Sequence, residues 1–124
     1  MQTEIYIDPK IDLYSDKTIE VLIEFKIKPA KVAVATSVSG ITIEQATKQV
    51  EESHHIFKED LTYLNELHIK YAINHTYKDS FNGVSMSLKG NTIQYLLQST
   101  VIKAIYSNKE MKIPPKPVDT MYQV

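Results

Sequence analysis

The chain contains no cysteine, which excludes disulfides, thiolate metal sites and a cysteine nucleophile. Glycine is scarce. Gly40, Gly83 and Gly90 stand alone, so no glycine-rich loop can cradle a phosphate. Neither sign of charge dominates: 14 Lys and Arg face 15 Asp and Glu, and no basic patch stands out, which argues against nucleic acid or an anionic membrane as partner. No apolar run is long enough to span a bilayer. Met1-Gln2-Thr3-Glu4 opens polar and acidic, unlike a signal peptide, so a secreted parent would carry its signal outside this stretch.

Catalytic patterns are missing too. No serine sits in a Gly-x-Ser-x-Gly turn, and Asp79 and the pair Glu59-Asp60 read as solvated charges rather than paired acid and base. His54 and His55 are adjacent and face different ways on a helix, and no His-x-x-x-His spacing occurs among the histidines. His54 reads as a packed residue, and neither metal nor cofactor is expected. Asn74-His75-Thr76 matches a glycosylation triplet of the kind that chance supplies. Aromatic residues fall at core-compatible positions rather than on a base-stacking face. The chain is read as non-catalytic.

What is present is the composition of one globular domain, with 43% hydrophobic and 23% charged residues over 124 positions. Asn82-Gly83 is the strongest turn signal, since both residues tolerate positive φ. After it Val84, Met86 and Leu88 alternate with Ser85 and Ser87; before it Ile73, His75 and Tyr77 keep the same period. Two strands are predicted there, Ile69 to Tyr77 and Val84 to Leu88. Thr18 to Lys28 is the clearest strand, with Ile19, Val21, Ile23, Phe25 and Ile27 on one face and Pro29 ending it.

Residues 30–40 admit a short helix from Pro29 to Gly40 or an extended run, and the helix is favoured. Thr42 and Gln45 have capping-box spacing. From there Ile43, Ala46, Val50, Phe57, Leu61, Leu64 and Leu67 recur at three and four, predicting an amphipathic helix of about 24 residues, or ~36 Å. Asn91 is placed to cap a shorter helix through Ser99, with Ile93, Leu96 and Leu97 buried. Val101 to Tyr106 reads as a last strand. Pro114, Pro115 and Pro117 bias the tail to an extended form.

The order strand, helix, strand, strand, helix, strand predicts an α+β, ferredoxin-like βαββαβ fold, a four-stranded antiparallel sheet with two helices on one face. Three segments follow: a leader at 1–17 with at most one short strand, the domain at 18–108, and a tail at 109–124. The sheet face away from the helices would carry Leu22, Ala72, Asn74, Thr76, Ser85, Ser87, Ala104 and Tyr106, mostly small and uncharged. Such a face suits close approach by another protein, although small residues also occur on sheets without any partner.

Several stretches together resemble a known family. They are Ile23-Glu24-Phe25-Lys26 before Pro29, Glu52-Ser53-His54 with Phe57 and Asp60-Leu61, and Tyr77 with Phe81-Asn82-Gly83-Val84-Ser85-Met86. Leu96-Leu97 before Val101-Ile102-Lys103-Ala104-Ile105-Tyr106 completes the set. The whole is similar to the inhibitor-type propeptide domain of subtilisin-like serine proteases, closest to the prodomains of Bacillus-type minor extracellular proteases, over roughly residues 18–110. The resemblance implies a secreted parent protease, with this domain acting as its intramolecular chaperone and temporary inhibitor in cis. It also implies a sheet face laid on two protease helices and a tail in the active-site cleft, here Met121, Tyr122, Gln123 and Val124. Acidic residues that cap the protease helices in this family would correspond to Tyr106 and Asn108, of which only Asn108 keeps a capping side chain. A stand-alone inhibitor or a ferredoxin-like regulatory module is the alternative.

Overall fold

A computed structural model describes residues 4–38 and 40–108. Its strands are β1 (Tyr6–Ile7), β2 (Thr18–Phe25), β3 (Tyr71–Tyr77), β4 (Gly83–Lys89) and β5 (Ile102–Ser107). The helices are α1 (Ala30–Thr36), α2 (Ile43–Glu66) and a 3-10 helix at Gly90–Leu96. They form one sheet in the order β1-β5-β2-β4-β3.

Alternation in β2 makes it the centre of that sheet. Val21 and Ile23 pair with Met86 and Val84 of β4 on one face, while Glu20 and Leu22 pair with Ser87 and Ser85 on the other. On its opposite edge Leu22 meets Tyr106 and Ile23 meets Ile105 of β5. The α+β class holds, but the four-stranded antiparallel sheet does not. β1 adds a fifth strand, parallel to β5, with Tyr6 opposite Ala104 and Ile7 opposite Ile105. Its cause is the free edge of β5, which the leader pairs while Ile5, Ile7 and Leu13 pack against the core and Ile11 is buried in it.

The long helix forms as its spacing dictates. Thr42 Oγ1 accepts from Gln45 N at 3.1 Å, and Gln45 Oε1 accepts from Thr42 N at 3.0 Å, so both halves of the capping box are closed. Its buried stripe is Ala46, Val50, Ser53, His54, Phe57, Leu61 and Leu64; Ile43 and Leu67 at its ends are exposed. Past the C-terminus His68 takes a left-handed φ of 61°, which turns the chain toward β3. Phe57, Leu61, Leu64, Ile93 and Leu96 pack with Val21, Ile23, Val84, Met86, Leu88 and Ile105 in one core on the helix side of the sheet. α1 follows Pro29 as favoured, buries no residue fully, and ends at Thr36 before Gly40, whose φ is +77°.

Three local expectations fail. β2 stops at Phe25 rather than Lys28. The second helix is a 3-10 turn without a side-chain cap, and its leading amides are paired with the leader. Gly90 N donates to Lys17 O and Asn91 N to Ser15 O. Leu97 accordingly lies exposed at its end. In β3 the register slips between Ile73, opposite Met86, and His75, opposite Ser85. Asn74 is thus the extra residue of a β-bulge, and the strand's later side chains exchange faces.

Candidate functional site

The sheet face away from the helices is assembled from alternate residues of all five strands. By register it carries Tyr6 of β1, Ala104 and Tyr106 of β5, Glu20, Leu22 and Glu24 of β2, and Ser85 and Ser87 of β4. β3 contributes Ala72 opposite Ser87 and, after the bulge, His75 opposite Ser85 and Tyr77 opposite Gly83. Thr76 does not belong to this face. It pairs with Val84 and lines a cleft of about 230 Å³ with Phe57 and Leu61 on the helix side. The bulge is the reason, since one inserted residue inverts the alternation that follows it.

The other expected residues differ in what they offer. Leu22, Ser85 and Ala104 are at most 2% exposed, enclosed at the centre of the face. Ala72 and Asn74 are exposed, and Ser87 and Tyr106 are half-buried. The small centre is ringed by larger groups. Tyr6 and Tyr106 meet at 5.8 Å between centroids, and His75 and Tyr77 at 6.1 Å. Sequence reasoning missed Tyr6, His75 and Tyr77. The alternating Ile5-Tyr6-Ile7 was the signal for the first, whereas the bulge that exposes the other two leaves no mark in the residue pattern.

Polar groups on the face tie its strands together. Asn74 Nδ2 donates to Glu20 Oε2 at 2.9 Å and to Ser87 Oγ at 2.8 Å, bridging β3, β4 and β2. Tyr106 Oη donates to Glu24 Oε1 at 3.1 Å, and Lys103 Nζ lies 3.7 Å from Glu24 Oε2. Burial, reinforced by the Glu24 charge, raises the Tyr106 phenol above its ordinary pKa and keeps it a donor. Among the described residues the Ser85 hydroxyl is buried without a hydrogen-bond partner. The result is a preorganised surface with a flat centre and an aromatic and acidic rim. Nothing in it resembles a nucleophile and its base.

A second polar cluster lies inside, where α2 meets the β3–β4 turn. His54 Nε2 is 2.7 Å from Asn82 Oδ1, an acceptor, so this nitrogen carries the proton. Asn82 Nδ2 donates to Ile27 O at 2.9 Å and Ser53 Oγ at 3.1 Å, and Ser53 Oγ donates to Val50 O at 2.6 Å. Phe25 packs edge-on against the imidazole at 4.8 Å. Burial lowers the His54 pKa against the opposing bond from Asn82. The serine hydroxyl is spent on a carbonyl and no carboxylate joins the cluster, so it fastens the turn to the helix rather than activating a nucleophile. Among the described residues no three His, Asp or Glu side chains converge to hold a metal.

Asn108, the expected capping residue, is half-buried just past β5, with its N–H donated to Glu20 O at 3.1 Å. Met121, Tyr122, Gln123 and Val124 lie outside the described residues, as does the whole tail at 109–124. No helix among the described residues is long and apolar enough to cross a membrane.

No curated protein and no solved structure gives a significant match to the chain. A family profile does, that of peptidase inhibitor I9, and it covers residues 21–114, from the middle of β2 to beyond the last strand. That match is to the inhibitor domain as a whole and carries no assignment to the minor-extracellular-protease branch. An α+β chain, presenting a structured sheet face and matched over most of its length, belongs to the peptidase inhibitor I9 family, the family of subtilisin propeptides.

Proposed function

We propose that this chain is the propeptide of a secreted subtilisin-like serine protease, made in cis with it, serving as its folding chaperone and then its temporary inhibitor. The observation that carries this is the family match over residues 21–114, which runs on from β5 to the first proline of the tail, Pro114. The α+β core, with its antiparallel strands in the order β5-β2-β4-β3, is compatible with the ferredoxin-like propeptide architecture.

In this reading the open sheet face docks on the protease. Leu22, Ser85 and Ala104 keep its centre flat, while Tyr6, Asn74, His75, Tyr77 and Tyr106 make the contacts. Glu20 and Glu24 stand on the same face and supply the carboxylates that Tyr106 and Asn108 lack, where a helix N-terminus would accept negative charge. The tail, including Met121, Tyr122, Gln123 and Val124, then lies in the active-site cleft as an added strand, with the main chain giving affinity and alternate side chains giving selectivity. An extended, proline-rich segment pays little extra entropy on binding, because it has few conformations to lose.

The experiment is direct. Adding the full chain to a purified subtilisin-like protease should abolish peptide hydrolysis in a saturable, concentration-dependent way. Adding it to the denatured mature protease should raise the yield of refolded activity. Undiminished hydrolysis at a large excess of chain would overturn the inhibitor reading.

A further inference from the structure

The first twenty residues precede the stretch matched to the family, yet they hold the place where the tail departs. β1 ends at Ile7, and Asp8 continues its ladder in two ways. Asp8 N donates to Ile105 O at 2.9 Å, and the Asp8 carboxylate oxygen Oδ2 accepts from Ser107 N at 3.1 Å. Its other oxygen, Oδ1, accepts from Lys10 N at 3.0 Å, which fixes the rotamer. From the opposite side Asn108 N donates to Glu20 O. The last two described residues are therefore each held by a flanking strand, one through a side chain and one through the backbone.

A carboxylate is a stronger acceptor than the carbonyl that a longer β1 would have offered. The amides of Lys10 and Ser107 hold the Asp8 carboxyl below the usual carboxylate range, so it is ionised wherever a neutral-pH protease works.

We propose that Asp8 is a positioning residue for inhibition: by clamping Ser107 it sets the point and direction from which the tail leaves the sheet toward the protease cleft. This rests on the inhibitory reading above. The sheet face and the tail are two binding elements joined by a linker, and the second engages at an effective concentration that falls as the linker lengthens and loosens. Losing the Asp8 carboxylate releases Ser107 N and leaves the end of β5 held from the β2 side alone, through Val21 and Glu20, so the exit loosens and the effective concentration falls without touching a protease contact.

The test compares the full chain with Asp8→Ala and Asp8→Asn, reading the inhibition constant against a subtilisin-like protease and amide hydrogen exchange residue by residue. Asp8→Ala should raise the inhibition constant by about three- to tenfold. Exchange at Ser107 should accelerate while Ile23 and Ile105 at the sheet centre keep their protection. Asp8→Asn retains an oxygen able to accept from Ser107 N and should fall between the two. Equal inhibition by Asp8→Ala and the parent would overturn the proposal, as would unchanged exchange at Ser107. Faster exchange across the whole sheet would also overturn it, by reducing Asp8 to a structural role. An inert parent chain would instead overturn the inhibitory reading, and the proposal with it.

Discussion

Gly83 and Asn82 sit side by side and are needed for unrelated reasons. A Cβ on Gly83 would drive into the carbonyl of Ile23 on the neighbouring strand and within 2.8 Å of the Phe81 ring. Gly83→Ala should therefore destabilise the domain by at least about 2 kcal/mol in chemical denaturation, since β2 and β4 would have to part at the turn end of their ladder. Asn82 is 2% exposed and joins α2, the turn and the segment just after β2 through its side-chain amide. The pair was legible as a turn, but for the wrong cause: neither residue has positive φ. Residue types advertise the conformations they tolerate, not the carbonyl that will lie against them. Asn82's partner His54 carries the pH prediction. Burial lowers its pKa, so the unfolded chain takes up a proton near its ordinary value of about 6.5 that the native chain refuses. Stability is complete above that value and is lost as pH falls below it. The melting temperature should drop between about pH 7.5 and 5.5, and His54→Gln should flatten the slope over that interval.

At the scale of the element, α2 was readable from end to end because its pattern repeats over 24 residues and its cap is spelled in two side chains. Leu61, 6% exposed in the middle of the stripe, tests it: Leu61→Ala should cost about 2–5 kcal/mol in equilibrium unfolding. Short elements were harder. The 3-10 turn at Gly90–Leu96 was read as an ordinary capped helix, whereas its two leading amides find partners 73 and 76 positions earlier, in the leader. β3 looked regular because Ile73, His75 and Tyr77 keep their period straight through Asn74, whereas the strand does not. This reversal makes a testable contrast. Tyr106→Ala, on the docking face, should weaken protease inhibition by about tenfold, the scale of an aromatic anchor. Thr76→Ala, on the opposite side, should leave the inhibition constant where it was. Equal losses would return Thr76 to the contact surface.

For the whole molecule, class and layering followed from the order of elements, and most outward residues of the sheet followed from simple alternation. The fifth strand did not. β1 is two residues long, and nothing in its own composition says that it will pair with β5, ninety-eight positions later at Tyr6 and Ala104. The leader's place in the fold instead shows in Ile11, which is buried in the core. A segment outside the family match is thus built into the domain that the match describes.

The bulge at Asn74 has one last consequence. β3 is the outermost strand on its side, an open row of donors and acceptors onto which a second molecule could hydrogen-bond and so begin a filament. A single supernumerary residue breaks the spacing of that row midway, and a straight incoming strand cannot follow it. A face shaped for a partner thereby ends in a border that discourages self-association.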